Sequence, residues 1–250
     1  MTDLDRFKHV RFEDFRRMAQ DPTLSEYEKI AFPDSYRAGY GEAIFADIRR
    51  KLTHLDRREQ TVLEIGPGCS DPARLMIDLC RQQRHRLILV DAPEMLALLP
   101  DAPFILKIAA YFPDECPQLF ADNAGRIDVI NCYSLLHIIF AEGNVYRFLD
   151  QALSLLAAGG QFLIGDIPNI SKRKRFFSSE TGIQFHQEFM QAGEKPSVQF
   201  NTLEPEQIDD AVLLSLLLRA RAAGSDSYLL PQHDSLPMAS RREDLLICKP

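Results

Sequence analysis

The sequence is short of several things that would place a protein quickly. Its five cysteines, Cys69, Cys80, Cys116, Cys132 and Cys248, form no Cys-x-x-Cys pair, and no histidine stands at zinc-finger spacing from them. That excludes a disulfide scaffold and a structural zinc site as organising elements. The thiols are expected to be small buried side chains in a reducing compartment. Long apolar runs are also missing: the longest, Ala211 to Leu218, contains Ser215 and runs into Arg219 and Arg221, well short of the roughly 18 residues of a membrane span. The opening Met-Thr-Asp-Leu-Asp-Arg develops no signal-peptide apolar core, so cytoplasm is the expected compartment. No period of roughly 20 to 50 residues recurs and no low-complexity tract appears, which removes solenoids and flexible arrays. Positive charge is in the minority, with 29 Lys+Arg against 36 Asp+Glu and a formal net charge of -7. A surface built as a whole to grip nucleic acid or anionic membrane is thereby disfavoured.

What is present is enough apolar sequence for one domain with a modest appendage, 46% of the chain, arranged as strands alternating with helices. Strand-like runs are Thr61 to Gly66, Arg86 to Asp91, Phe104 to Ile108, Ile127 to Tyr133 and Gln161 to Asp166. Helical spacing falls between them at Arg74 to Arg81, Pro93 to Leu99, Pro113 to Ala121 and Asn144 to Leu156, the last stopped by Gly159 and Gly160. Strands that are apolar without polar alternation, separated by helices, are what a parallel sheet covered on both faces requires. The predicted class is α/β. A further helix, Pro205 to Ala223, ends at Gly224, and two strand runs follow, Ser227 to Pro231 and Glu243 to Cys248, with no room for a helix between them. Their short connection predicts an antiparallel pair at the end of the sheet.

Two segments depart from the alternation. Residues 1–58 read as largely helical and aromatic, an N-terminal cover before the main domain at 59–250. Residues from Pro168 to Thr202 interrupt the region after the fifth strand, where substrate-recognition insertions are placed at strand carboxyl ends.

Glu64-Ile-Gly66-Pro-Gly68-Cys-Ser70 stands where the first strand turns into a helix. Glycines let backbone approach a ligand closely there, and the following helix N-terminus favours negative charge. Asp91, ending the second strand, is where α/β nucleotide folds hold a ribose hydroxyl pair; a plain helix cap before Pro93 is the alternative. With these pieces in order, the chain resembles the class I S-adenosylmethionine-dependent methyltransferases. The resemblance rests on Val62 to Gly68, Leu89-Val-Asp91, Ile127 to His137 and Leu155 to Asp166, in the order and spacing of that family, and on the C-terminal strand pair. It implies a Rossmann-like seven-stranded, mostly parallel sheet and S-adenosyl-L-methionine as cofactor. It further implies that Gly66 and Gly68, with Ser70, pass under the methionine part, that Glu64 orients its amino end, and that Asp91 holds the ribose hydroxyls. Ala92, Ile108, Ala109, Asn131 and Cys132 are the remaining cofactor candidates it implies. Two departures stand out: Ser70 replaces a third glycine, and the adenine stretch Ile108 to Pro113 lacks an acidic side chain. A dinucleotide oxidoreductase shares the strand-turn-helix logic, but its third glycine position is Asp71 here, a carboxylate facing a pyrophosphate.

Methyl transfer needs an in-line nucleophile and, for some acceptors, a base. Tyr133, His137 and Asp166 are the catalytic candidates by position at the fourth and fifth strand ends. His137 titrates near neutral pH; packing or lining the cofactor pocket is its alternative role, and Asp166 has turn capping as its own. Lys172, Arg173, Lys174 and Arg175 are four consecutive cations beside the expected mouth. They suit a phosphate-bearing acceptor such as a nucleotide-linked sugar, with a solvated charge run as the alternative, and His186, Gln187, Arg219 and Arg221 as candidate extensions. Tyr36, Arg37 and Tyr40 are candidates for a lid, or for packing. The sequence therefore reads as a methyltransferase acting on an oxygen or nitrogen of a small polar acceptor, with no metal, no membrane partner, a disfavoured nucleic acid partner and an open oligomeric state, homo-oligomer included. A non-catalytic cofactor-binding protein is the rival from a different class.

Overall fold

The computed structural model describes residues 7, 10–191, 193–202 and 204–250. Residues 1–6, 8 and 9 of the expected cover and residue 192 of the expected insertion lie outside the described residues.

The chain begins with α1 (Phe12–Gln20), a 3-10 turn at Glu28–Ile30, α2 (Asp34–Arg37) and α3 (Gly41–Lys51). Then the alternation starts: β1 (Thr61–Ile65), α4 (Asp71–Gln83), β2 (Arg86–Asp91), α5 (Pro93–Leu96), β3 (Ile105–Ala109), α6 (Pro117–Asn123) and β4 (Ile127–Tyr133). It continues through α7 (Leu136–Glu142), α8 (Val145–Leu155), β5 (Leu156–Pro168), α9 (Ile170–Phe177), α10 (Glu180–Met190), α11 (Asp210–Ala222), β6 (Asp226–Pro231) and β7 (Arg242–Cys248).

The strands form one seven-stranded sheet in the order β3-β2-β1-β4-β5-β7-β6. The first five run parallel, while β7 inserts antiparallel between β5 and β6. This is the mostly parallel sheet with a C-terminal antiparallel pair that the sequence pattern predicts. Both faces are buried, which is why the strands read as unbroken apolar runs. Leu63, Ile65, Ile88, Val90 and Ile130 pack with Phe148, Leu149 and Leu216 of α8 and α11 on one side. The alternate residues Val62, Leu87, Leu89 and Val129 pack with Ile44, Ile48, Met76 and Ile77 of α3 and α4 on the other. Glu64, Asn131, Asp91 and Tyr133 continue that second set along their strands, so period-two geometry delivers four polar side chains to one face near the carboxyl ends of the strands.

Some boundaries differ from the sequence reading for local reasons. The last helix starts at Asp210 rather than Pro205, because the Asp209 side chain accepts from Val212 N (2.9 Å) and fixes the N-cap there. Ile208 before the cap and Leu213 after it are both buried in the same cluster, a hydrophobic staple. β5 begins at Leu156 and runs through Gly159 and Gly160, since Lys249 N donates to Gly160 O (3.0 Å) and draws that stretch into the sheet. Cys69, Cys80, Cys116 and Cys132 are buried free thiols, and Cys248 is half-buried. Among the described residues no helix is long and apolar enough to cross a membrane.

The N-terminal elements are fastened over the strand ends. Arg16 of α1 pairs with Glu94 of α5 (2.8 Å), Phe12 sits edge-on to Tyr111 (4.9 Å between centroids), and Arg37 of α2 reaches Asp166.

Candidate active site

Gly66 and Gly68 adopt positive φ, 66° and 65°, in the turn between β1 and α4. A Cβ at Gly66 would lie 2.6 Å from Leu135 Cδ2, and one at Gly68 would lie 2.8 Å from Ile30 Cγ2. Glycine is therefore required twice over, by backbone conformation and by the closeness of what covers the turn. Asp91 braces the same turn: Gly68 N donates to one carboxylate oxygen (3.1 Å) and Ala92 N to the other (2.7 Å). Burial raises its pKa to about 6, opposed by those two N–H donors.

Glu64 and Asn131 are direct partners across β1 and β4. Asn131 Nδ2 donates to both Glu64 oxygens at 3.1 Å. Burial nevertheless pushes the Glu64 carboxyl up to about 8, because one neutral donor offsets little of the desolvation. The other end of the amide, Asn131 Oδ1, is buried and has no hydrogen-bond partner.

These residues line a cavity of about 1190 Å³ counted to its open mouth. Its floor includes Glu64, Gly66, Gly68, Ser70 and Asp91, and its walls include Phe12, Phe15, Tyr27, Ile30, Phe32 and Arg37 from the N-terminal elements. Several candidates read from the sequence stand elsewhere. Cys132 is wholly buried among the apolar residues of the opposite face. Ala92, Ile108 and Ala109 do not line the cavity; Met95, Ala110, Tyr111 and Phe112 do. The offset arises because Ile108 and Ala109 still belong to β3, and the chain crosses the cavity only after leaving the strand. Phe12, Phe15 and Tyr27 read from the sequence as aromatics of the N-terminal cover, and the structure places them on the wall of this cavity.

Beyond Phe32 lies a second cavity, lined by His137, Ser134, Arg242, Glu142 and Gln207 and sharing Phe15, Ile30, Phe32, Ser134 and Ile138 with the first. His137 stands in the first turn of α7, partly buried, with Nδ1 buried and without a partner. Burial lowers its pKa to about 4, with the Arg242 and Arg37 guanidiniums adding to the effect and Asp166 opposing it. The ring is neutral at physiological pH.

Asp166 is held in place from every side. Ser134 Oγ donates to it (2.7 Å), as do Gln232 Nε2 (3.0 Å) and Arg242 (2.8 Å), and Arg37 completes the set. Burial by itself would raise its pKa, but Arg242 and Arg37 outweigh that and hold it at about 2. Both Ser134 and Asp166 sit in left-handed backbone, φ 61° and 56°, at a cost of roughly 1–2 kcal/mol each that the ion pairs offset. With four donors on its carboxylate, Asp166 anchors the N-terminal α2 to the sheet. Tyr133 lines the cofactor cavity, and its hydroxyl accepts from Gln232 Nε2 (3.4 Å); burial, aided by Asp166, raises the phenol well above its usual range.

The basic run forms the middle half of α9, and three of its members are tied to the protein. Lys172 Nζ donates to Arg242 O (2.8 Å), Lys174 pairs with Glu204 (2.8 Å), and Arg175 pairs with Asp210. Arg173 is exposed and joins no ion pair among the described residues, its guanidinium 5.5 Å from the Phe177 ring centroid. His186 packs against Phe177 from α10 and lines neither cavity. Arg219 and Arg221 are held by Asp150 and by Ser227 O (2.8 Å), away from the site. Arg37 alone of the three lid candidates reaches the cofactor cavity.

A sheet in this order, with a glycine turn after β1, a carboxylate ending β2 and a reversed β7, defines the class I S-adenosylmethionine-dependent methyltransferase fold. No family model matches the chain, and no curated protein sequence matches it. Among solved structures it is similar to the plantazolicin methyltransferase BpumL in complex with SAH, at 13% identity and a TM-score of 0.57 over 98% of each chain. It is also similar to the CurJ carbon methyltransferase, at 16% identity and a TM-score of 0.54 over 86% of this chain and 56% of that one. A third is phosphoethanolamine N-methyltransferase 2 of Haemonchus contortus in complex with S-adenosyl-L-methionine, at 13% and 0.54 over 94% and 60%. The chain thus spans little more than half the length of the last two, and what it shares with all three is the fold.

Proposed function

We propose that this chain is an S-adenosylmethionine-dependent methyltransferase acting in the cytoplasm on an oxygen or nitrogen of a small polar acceptor. The observation that carries the reading is a pair of buried atoms. Two side chains lining the first cavity have a polar atom without a partner: Asn131 Oδ1, an acceptor, and Arg37 Nε, a donor. An amino-acid zwitterion needs one of each, an acceptor for its ammonium and a donor for its carboxylate. A nicotinamide dinucleotide has no ammonium–carboxylate pair; its carboxamide offers only a neutral N–H₂ and C=O. The cofactor's residues are then Asn131, Glu64 and Arg37 at the amino-acid end, Gly66, Gly68 and Ser70 beneath it, and Asp91 for the ribose hydroxyls. Ala110, Tyr111 and Phe112 serve the base. When bound, the sulfonium supplies an electrophilic methyl group.

The rest of the work falls to the chain. Phe15, Ile30 and Phe32 exclude water between the two cavities, which strengthens every charge interaction inside. His137, neutral above about pH 4, takes the acceptor's proton on Nδ1. Tyr133 shapes the methyl end, and Asp166 positions Arg37, Ser134 and Arg242. The N-terminal segment acts as a cover and the 168–202 segment as the outer acceptor wall.

Calorimetry tests this directly. S-adenosylmethionine should bind and NAD should not, and Asp91→Ala should weaken cofactor binding roughly 10- to 100-fold, the loss of one or two charge-assisted hydrogen bonds. Tight NAD binding with none to S-adenosylmethionine overturns the reading. Release of S-adenosylhomocysteine with phosphorylated and unphosphorylated small acceptors then measures turnover.

A further inference from the structure

Three arginines converge on a cleft that the cofactor does not use. Arg173 comes from α9, Arg241 from the turn before β7, and Arg242 from the first residue of β7; Phe32, Tyr36 and Gln207 complete the walls. Only Arg173 belongs to the basic run seen in the sequence. Among the described residues no ion pair involves Arg173 or Arg241, whereas Arg242 shares Asp166 with Arg37. The Arg241 guanidinium donates to its neighbour Ser240 Oγ (3.5 Å). Nearby carboxylates are already committed: Glu204 to Lys174, Asp210 to Arg175, Glu243 to Asn169 and Asp244 to Lys51. Arg173 and Arg241 thus both line the cleft without an ion pair among the described residues, the Arg241 guanidinium lying 5.6 Å from the Phe185 ring centroid. Burial, together with the neighbouring Arg173, lowers the Arg241 pKa from its ordinary value. An anion entering the cleft would meet both of these guanidiniums.

The cleft is also in the right place. It shares Ala31, Phe32, Pro168, Gln207 and Arg242 with the His137 cavity, which in turn adjoins the cofactor cavity through Phe15, Ile30 and Phe32. Cofactor cavity, histidine and arginine cleft therefore lie in sequence around one ring, Phe32. That ring is held by the Arg37 guanidinium at 4.0 Å and the Arg242 guanidinium at 5.4 Å from its centroid.

We propose that the cleft framed by Arg173, Arg241 and Arg242 is an anion subsite for a phosphoryl group of the methyl acceptor, a proposal that rests on the methyltransferase reading above. Planar guanidiniums match the tetrahedral oxygens by paired N–H donors, and a dianion answers the charge of the two unpaired arginines better than a monoanion does. The acceptor is then an elongated phosphorylated molecule, with its methyl-accepting atom at His137 and its phosphoryl group beyond Phe32.

Titration calorimetry of the whole protein with inorganic phosphate, with acetate as the comparison anion and S-adenosylmethionine in a parallel experiment, tests it. Phosphate should bind, weaken as salt is added, and exceed acetate in affinity by at least roughly tenfold. Arg173→Gln and Arg241→Gln should each lower phosphate affinity by roughly tenfold while S-adenosylmethionine affinity stays at the wild-type value. Arg173 is exposed, so its variant folds even if Arg241→Gln does not. Absence of phosphate binding, equal affinity for acetate, or an Arg173 variant indistinguishable from wild type overturns the subsite. If S-adenosylmethionine binds and phosphate does not, the subsite fails and the methyltransferase reading stands. If phosphate binds and S-adenosylmethionine does not, the methyltransferase reading fails and the acceptor assignment goes with it.

Discussion

Replacing Glu64 with glutamine should make the free protein more stable at pH 8 and a poorer binder of S-adenosylmethionine. The folded carboxyl holds its proton to about pH 8, against an ordinary value of 4.5, because burial penalises the charge and Asn131 Nδ2 is its one donor. An acid whose pKa is raised by folding destabilises the fold as pH rises: the penalty is absent below about 4.5 and complete above about 8. At 1.36 kcal/mol per pH unit the whole window amounts to about 5 kcal/mol. Glu64→Gln removes the ionisation, keeps a carbonyl for Asn131 Nδ2, and brings an N–H₂ within reach of the unpartnered Asn131 Oδ1. Urea unfolding of both proteins at pH 5 and pH 8 isolates the effect. His137 and Asp91 also titrate across this range, at about 4 and about 6, but they do so in both proteins and cancel in the difference. The variant should gain about 3 kcal/mol or more relative to wild type between the two pH values. In calorimetry its S-adenosylmethionine affinity should fall by roughly tenfold, since the ammonium loses an ionised partner. A stability difference that is the same at both pH values would show that Glu64 does not titrate where its burial requires, and the reasoning would be wrong.

His137→Gln should lower kcat by roughly 10²–10⁴ with cofactor affinity unchanged. Because the ring is already neutral above about pH 4, the ratio of wild-type to His137→Gln rates should stay constant between pH 6 and 8, where Asp91 and Glu64 titrate in both proteins; a step that the substitution removes refutes the base assignment. Asp166→Asn should cost about 3–5 kcal/mol in urea unfolding, since it leaves the buried Arg37 and Arg242 guanidiniums without their counter-charge. A loss under about 1 kcal/mol would mean that the ion pairs do not hold the cover. Gly68→Ala should lower the thermal midpoint, as left-handed backbone at φ 65° costs a side chain about 1–2 kcal/mol and Ile30 Cγ2 lies 2.8 Å from the new Cβ; an unchanged midpoint would contradict the close approach of Ile30.

The strands were legible because burial on both faces leaves a sequence-local mark, and so was the glycine turn at Gly66 and Gly68 with Asp91 one strand away. The Glu64–Asn131 pair was legible as two separate candidates, though not as partners, because their register is set by β1 lying beside β4. The Asp166 network was not legible at all. Arg37, Ser134, Gln232 and Arg242 lie up to 129 residues from Asp166, and nothing local in their sequence distinguishes a buried arginine from a solvated one. The Lys172 to Arg175 run shows the converse: four adjacent charges stand out in sequence, yet a helix turns successive residues by 100° and sends three of them to three different partners.

By itself the sequence determined the alternation of buried strands and helices, the antiparallel ending and the glycine turn, since each follows from residues adjacent in the chain. Only the tertiary structure decided which polar groups face the cavity, that Asp166 is neutralised by two arginines, and that Arg173 meets Arg241 and Arg242. Those depend on charges brought together from distant segments, and a side chain's ionisation and usefulness are set by its neighbours in space, not by its neighbours along the chain.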